Sequence, residues 1–140
     1  MILYLDTSSL VKLYVEEAGS SETSLLLESS EIVATSIVAY AEARAAFARR
    51  YREQSFSESE FERLKAFFES DWRGYFILHL TLEVTQSAGN LAEKHALRGF
   101  DAIHLASAIT LSRDISAPVR FSCFDDSLKQ AASAENLKTD

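Results

Sequence analysis

Four short runs of large apolar residues alternate along the chain with longer stretches in which apolar residues recur every three or four positions. The runs cover residues 2–5, 31–35, 75–80 and 119–124. Short unbroken apolar runs rich in β-branched side chains are typical of strands that are buried on both faces, as in a parallel sheet. The intervening stretches predict helices, because a period near 3.6 gathers the apolar residues on one face. We predict helices over residues 9–16, 21–29, 37–51, 57–70, 81–97, 101–109 and 127–132.

Strands and helices therefore alternate, and this order favours parallel strands joined by right-handed helical crossovers. The predicted fold is α/β, a three-layer α/β/α sandwich around a central, mostly parallel sheet of four to five strands. Residues 136–139 are the candidate for the fifth strand, at an edge of the sheet. A chain of 140 residues is expected to form one domain, residues 1–140.

Several residues mark where helices begin. Thr7, Ser8 and Ser9 follow the first strand and are candidates to cap a helix that starts at Leu10. Asp6 then lies at the C-terminal tip of the strand, the edge of an open α/β sheet at which ligands bind. Ser57 and Glu60 have the spacing of a capping box.

The composition limits the possible classes of protein. The chain has no run of eighteen apolar residues and no basic, then apolar, N-terminal leader, so we expect a cytoplasmic protein without a membrane span. Its single cysteine, Cys123, cannot form an intramolecular disulfide and is expected to be a buried, inert thiol. The net charge of −7 argues against nucleic-acid binding through a broad positive surface. This net charge is compatible with a nuclease whose acids are neutralised by a bound metal ion.

Acidic residues are concentrated at the predicted ends of elements. Asp6 ends the first strand, Glu42 lies early in the helix after the second, Asp101 begins a helix, and Asp125 and Asp126 follow the last strand. The C-terminal ends of parallel strands share one edge of the sheet, so these acids can converge there. Each also has a simpler interpretation: Asp6 and Asp101 as helix caps, Glu42 as a solvated residue, and the Asp pair as a charged helix start.

Several carboxylates within about 4–6 Å of one another repel unless a cation holds them together. Oxygen ligands without Cys or His favour Mg²⁺ or Mn²⁺. Because Mg²⁺ keeps several of its waters, such a site can activate a water and bind a phosphate. Thr7, Ser8 and Ser122 are candidates for a supporting role, as hydrogen-bond partners of waters or carboxylates.

Four segments together resemble the PIN domain, in its VapC-type toxins. They are residues 3–14 (LYLDTSSLVKLY), 39–46 (AYAEARAA), 95–108 (HALRGFDAIHLASA) and 121–128 (FSCFDDSL). The resemblance implies a Mg²⁺- or Mn²⁺-dependent endoribonuclease, usually dimeric and neutralised by a VapB-type antitoxin. The acids that match the family's motifs are Asp6, Glu42, Asp101 and Asp125, with Asp126 as an alternative to Asp125.

On this hypothesis Asp6, Asp101 and Asp125 hold the metal directly or through water, and Glu42 completes the site or orients the attacking water. Nearby basic residues are candidates to bind RNA phosphates, although a solvated helix face explains them equally well: Arg44, Arg49, Arg50 and Arg52.

Alternatives remain open from the residues alone. A ribonuclease that uses His79, His95 or His104 would cleave without metal and leave a 2′,3′-cyclic phosphate. A PIN-like domain without nuclease activity would serve as an RNA- or partner-binding module. The aromatic residues of segment 56–76 are expected in the core, with a dimer or antitoxin groove as the functional alternative.

Overall fold

A four-stranded parallel sheet forms the centre of the computed structural model, which describes residues 1–140. The strands are β1 (Ile2–Leu5), β2 (Ile32–Ser36), β3 (Phe76–Leu78) and β4 (Val119–Ser122). Their spatial order is β3-β2-β1-β4, so β1 lies inside the sheet, between β2 and β4. The register pairs Leu5 with Ser122 at the C-terminal end of β1.

Seven helices cover the two faces of this sheet. They are α1 (Thr7–Lys12), α2 (Ser20–Glu28), α3 (Val38–Arg52), α4 (Glu58–Trp72), α5 (Leu82–His95), α6 (Gly99–Ile115) and α7 (Asp126–Ala134). Buried residues of α5, α6 and α7 pack on one face, and those of α1, α3 and α4 pack on the other. The predicted three-layer α/β/α sandwich is confirmed.

The two cores explain why β1 is apolar throughout. Side chains alternate between the faces of a strand, so Tyr4 belongs to one core and Leu3 and Leu5 belong to the other. Tyr4 stacks on Phe121 of β4, with the ring centroids 5.5 Å apart. On the opposite face Phe47 and Phe68 meet edge to face. All these side chains are completely buried.

Several element boundaries differ from the sequence prediction. Helix α1 begins at Thr7 rather than near Leu10, and Asp6, not one of the hydroxyl residues, is its N-cap. The reason is local: Asp6 keeps an extended backbone, and its carboxylate accepts the Ser9 amide hydrogen bond that opens the helix. Helix α6 begins at Gly99, with Arg98 in the N-cap position, so Asp101 lies inside the first turn and does not cap the helix.

Residues 136–139, predicted as a fifth strand, do not form a complete strand. One isolated parallel bridge joins Lys138 to Arg120 of β4. Leu137 is buried beside it in the core that contains α7. The tail therefore extends the sheet edge by a single bridge.

Other local predictions hold. Ser57 and Glu60 form the capping box of α4, with both reciprocal hydrogen bonds present. Cys123 is buried, and burial raises the pKa of its thiol to about 12, as expected for an inert cysteine. No helix combines the length and the apolar character needed to cross a bilayer.

Candidate active site

Two of the predicted acids follow neighbouring strands at one edge of the sheet. Asp6 comes directly after β1 and Asp125 comes three residues after β4. Both are helix N-caps, of α1 and α7 respectively. The same edge receives Glu42 from α3, which follows β2, and Asp101 from the first turn of α6.

Asp6 is the most enclosed of these acids, with 5% of its surface exposed. Its Oδ1 accepts hydrogen bonds from Ser8 Oγ (2.7 Å) and from the Ser9 amide (3.0 Å), whereas no donor contacts Oδ2. Burial raises the pKa of Asp6, and the negative charge of Asp101 adds to the increase. No Lys or Arg side chain pairs with this carboxylate.

Glu42 is stabilised as an anion by two partners on other elements. Thr7 Oγ1 donates a hydrogen bond of 2.6 Å to Glu42 Oε1, and His104 Nε2 lies 3.1 Å from the same oxygen. Partial burial alone would raise the pKa of Glu42, but the hydrogen bonds from His104 and Thr7 outweigh it and lower the pKa. The predicted supporting role of Thr7 thus corresponds to a direct contact.

His104 links this edge to the core, a connection that the sequence did not reveal. The side chain is 2% exposed, and its Nδ1 lies 2.9 Å from the hydroxyl of Tyr4. Burial raises the pKa of Tyr4 far above its usual value, so its hydroxyl stays protonated and can donate to Nδ1. That bond places the ring proton on Nε2, facing Glu42. The only sequence signal was the position of His104 three residues after Asp101.

The histidines do not form a site of their own. His95 pairs with Glu135 at 2.9 Å, the exposed side chain of His79 makes no hydrogen bond, and His104 is enclosed. None of the three shares a partner with another. This arrangement gives no support to a ribonuclease that uses histidines as acid and base.

Asp101 has a single polar partner, Arg98. Arg98 Nε donates to Asp101 Oδ2 at 3.1 Å, and this hydrogen bond raises the pKa of the guanidinium. The Asp101 side chain is 20% exposed, whereas that of Arg98 is 82% exposed. Glu42, Asp101 and Arg98 together line a pocket of about 540 Å³.

The Asp doublet separates into two different environments. Asp125 Oδ1 accepts the Leu128 amide hydrogen bond at 2.9 Å, and its charge acts on Arg98. Asp126 is the first residue of α7, and its exposed carboxylate makes no hydrogen bond. Ser122 contacts neither of them: its hydroxyl lies 2.8 Å from that of Ser9 and joins β4 to α1. Of the two supporting contacts predicted for Ser122, with waters or with carboxylates, the structure shows no contact with a carboxylate.

The acids offer only oxygen donors, which is the chemistry that Mg²⁺ and Mn²⁺ prefer. They do not form a closed cage, since no group of three or more Asp, Glu, His or Cys side chains is close enough to hold a metal ion. Asp6 fits a cation best, because its buried charge and its free Oδ2 lack a positive partner. The Oδ2 oxygen of Asp101 is hydrogen-bonded to Arg98, so a cation that binds this oxygen competes with the guanidinium.

The predicted RNA-binding arginines lie on two different faces of α3. A groove of about 640 Å³ runs from Thr7 and Ser8 to Arg49, Arg50 and Arg52. Arg49 pairs with Glu53, Arg50 pairs with Glu17, and Arg52 is exposed without a partner.

Arg44 lies outside this groove and donates to Tyr40 and Glu69. Its guanidinium is thus committed to a contact between α3 and α4. Of the predicted arginines, Arg44 is the one whose position does not suit a path from the acidic edge.

Comparison with known proteins gives a consistent result. The family model described as PIN domain matches residues 3–132. The curated proteins Ribonuclease VapC45 and Ribonuclease VapC49, from two strains of Mycobacterium tuberculosis, are each 42% identical to this chain over 110 residues. Each alignment covers 79% of this chain and 76% of the relative.

Solved structures share the fold at lower identity. Mycobacterium tuberculosis VapC20, described as a sarcin-ricin loop cleaving toxin, matches with a TM-score of 0.67 and 19% identity over 92% of this chain and 94% of its own. VapBC2 from Rickettsia felis, bound to a DNA fragment from its promoter, matches with a TM-score of 0.61 and 17% identity over 100% and 98%. The family match and the 42% identity to VapC45 and VapC49 show that the chain belongs to the PIN domain family, within its VapC-type branch.

Proposed function

We propose that this protein is a Mg²⁺- or Mn²⁺-dependent endoribonuclease and the toxin component of a VapBC-type toxin–antitoxin pair. The observation that carries the proposal is the buried carboxylate of Asp6, which has no cationic partner and lies at the sheet edge to which Glu42 and Asp101 also contribute. The likeness to ribonucleases of the VapC type supports RNA as the substrate.

A divalent cation at this edge would stabilise the charge on a phosphodiester and lower the pKa of a water. Asp6, Asp101 and Asp125 would hold it, and Asp126 remains the alternative to Asp125. Ser8 orients Asp6 through its 2.7 Å hydrogen bond. Thr7 and His104 fix Glu42 as an anion, ready to orient the attacking water.

The groove of α3 suggests how RNA would reach the acids. It begins at Thr7 and Ser8, and Arg49, Arg50 and Arg52 line its other end. Guanidinium groups bind phosphate oxygens and position a strand without reading its sequence. A strand in this groove would pass from the arginines to the acidic edge.

An antitoxin partner fits a second groove, about 520 Å³ in volume, between α4 and residues 13–16, the segment that follows α1. Leu13, Tyr14, Phe56, Leu64 and Phe67 contribute to its lining. Within the aromatic segment 56–76, Phe68 is buried and Phe56, Phe61, Trp72 and Tyr75 pack against the same core, whereas Phe67 is 60% exposed. Structural neighbours of this chain include toxin–antitoxin complexes, which supports the assignment of a VapB-type partner.

Incubation of the purified, antitoxin-free protein with total RNA in Mg²⁺, Mn²⁺ or EDTA tests this function. We expect cleavage that requires metal and is abolished in Asp6→Asn. The matched control is Asp114→Asn, which changes an exposed aspartate near the C-terminal end of α6 and should cleave normally. Cleavage that persists in EDTA and in Asp6→Asn would contradict the metal mechanism.

The second candidate function is a PIN-like domain that binds RNA or a partner without cleaving. The exposed groove between α4 and residues 13–16 is the observation that favours it. RNA binding without cleavage of any RNA offered, in either metal, would support this alternative.

A further inference from the structure

Arg98 is the only Lys or Arg that is hydrogen-bonded to any of the four predicted acids. Asp6 is bonded to Ser8 and Ser9, Glu42 to Thr7 and His104, and Asp125 to the Leu128 amide. Asp101 is bonded to Arg98 alone. Arg98 is also the only cation among the residues that line the pocket shared by Glu42 and Asp101.

The backbone brings Arg98 to this place without using its side chain for capping. Ala96 ends α5 in the left-handed conformation, with φ of 54°, and Arg98 is extended as the N-cap residue of α6. Its side chain makes no cap hydrogen bond and reaches three residues forward to Asp101 instead. In turn, the Asp101 carboxylate faces Arg98 rather than the free amides of its helix end.

The two partners differ in how far their side chains are exposed to solvent. The side chain of Asp101 is 20% exposed, whereas the Arg98 side chain is 82% exposed and has no other hydrogen-bond partner. An ion pair with one largely exposed partner is weak, since solvent competes for the guanidinium. A dication attracts the acids more strongly than one guanidinium does, so the pair can be exchanged for a metal ion at low cost.

Resting on the proposed function, we propose that Arg98 is a displaceable counter-ion of Asp101. In the absence of a divalent cation it neutralises Asp101 and partly offsets the charge of Asp125. When the cation takes Asp101, the guanidinium is released at the mouth of the pocket and binds a phosphate of the RNA. Arg98 is thus a positioning residue for substrate that also sets the affinity for metal.

Removal of Arg98 should have opposite effects on two ligands. It takes away a competitor for the cation, so Mn²⁺ should bind more tightly. The same change takes away a partner for phosphate, so RNA should bind more weakly in the presence of metal. A purely structural surface pair would move neither affinity.

The test compares Arg98→Gln with Arg113→Gln, a change at an exposed, ion-paired arginine near the other end of α6. Mn²⁺ binding is measured by titration calorimetry on metal-stripped protein. RNA binding is measured in Mg²⁺ with a fluorescent oligoribonucleotide, with Glu42→Gln added to every protein compared so that the attacking water is not oriented and the RNA stays intact. We expect Arg98→Gln to bind Mn²⁺ about three- to tenfold more tightly than the wild type and to bind the oligonucleotide about three- to tenfold more weakly. Arg113→Gln should match the wild type in both.

Asp101→Asn separates the failure of this proposal from that of the metal site. If the wild type binds Mn²⁺, Asp101→Asn abolishes that binding, and Arg98→Gln equals Arg113→Gln, the counter-ion role is overturned and the metal site stands. If the wild type binds no Mn²⁺, both are overturned. Tighter Mn²⁺ binding with unchanged RNA binding would overturn the proposed phosphate contact.

Discussion

At the scale of single residues, the acids of this edge differ in how much their burial lowers the stability of the folded protein. Asp6 is 5% exposed and its pKa is raised by burial, whereas Asp125 and Asp126 are exposed. The folded chain holds a carboxylate at Asp6 that water would hold more favourably. A binding site for a cation is a reason to retain such a residue.

Asp6→Asn should therefore stabilise the protein in EDTA. The folded-state pKa of Asp6 is raised, so its charged form costs stability above that pKa, and the cost disappears as the pH falls below the unfolded value. We predict a rise in melting temperature of about 3 °C at pH 7.5, which corresponds to roughly 1 kcal/mol in a domain of this size. The difference should shrink at acidic pH.

Thermal melts of both proteins from pH 3.5 to 8, with and without Mn²⁺, measure this effect. Mn²⁺ should raise the melting temperature of the wild type and leave that of Asp6→Asn unchanged. If Asp6→Asn is less stable than the wild type at pH 7.5, Asp6 is not a destabilising buried carboxylate that a metal ion would neutralise.

Tyr4→Phe tests the link between the core and Glu42. The change removes the hydroxyl that contacts His104 Nδ1 and leaves that buried nitrogen without a partner. We predict a decrease of about 1–3 kcal/mol in the free energy of unfolding, together with a lower kcat for RNA and an unchanged KM. The control is Tyr51→Phe, because the hydroxyl of Tyr51 has no hydrogen-bond partner. Equal unfolding free energies for the two variants would refute the link.

At the scale of elements, α3 carries both Glu42, which is hydrogen-bonded to Thr7 at one end of the groove, and the arginines that line its other end. Residues 42, 45, 46 and 49 follow the helical period, which turns them to one side. Arg44, on another face, is bonded to Tyr40 and Glu69. The helix therefore separates a proposed substrate face from a face that packs on α4.

The salt dependence of RNA binding distinguishes these faces. In an inactive Asp6→Asn background, Arg49→Gln with Arg52→Gln should reduce the slope of log K against log salt by about 0.7 for each phosphate that the arginines no longer neutralise. Arg44→Gln should leave the slope unchanged. A fluorescence-anisotropy titration at several salt concentrations gives both values, and an equal effect of Arg44→Gln would place the RNA elsewhere.

The elements themselves were largely predictable from the sequence. Apolar runs located all four strands, because strands buried on both faces leave no polar positions inside them. The start of α1 was missed, since Asp6, Thr7, Ser8 and Ser9 are all good caps and sequence alone does not rank them. Contacts such as Tyr4 with His104 join residues 100 positions apart and become visible only when β1 and α6 are packed.

The acidic residues were likewise predictable in part. Their convergence on one edge followed from the parallel sheet. Their individual partners did not: the pairing of Asp101 with Arg98 depends on a left-handed residue at Ala96 and on a helix that starts two residues before Asp101.

At the scale of the whole molecule, apolar surface near β3 remains uncovered. β3 is an edge strand, and Phe76, Leu80 and Leu82 near it are 48%, 45% and 73% exposed. Exposed apolar residues at a sheet edge are typical of a surface that is covered in an assembly. A homodimer, proposed on the family resemblance, would cover this surface.

We predict that the antitoxin-free chain elutes with twice its mass of 15.6 kDa and that Leu82→Glu converts it to a monomer. Leu25→Glu is the matched control, since Leu25 is 65% exposed on α2 and belongs to neither of the elements that carry Phe76 and Leu82. Light scattering coupled to chromatography measures the mass. A wild-type monomer at high concentration would count against the dimer.

Four acids are proposed to form one divalent-cation site. They come from the end of β1, from α3, from α6 and from the region after β4. Every other role proposed for this edge depends on that site. The anomalous difference density of crystals grown with Mn²⁺ tests it most directly. We predict a peak in contact with Asp6 and Asp101, with the Asp101 carboxylate turned away from Arg98. A protein that cleaves RNA in Mn²⁺ but binds the ion elsewhere, with Asp101 still paired to Arg98, would contradict this site.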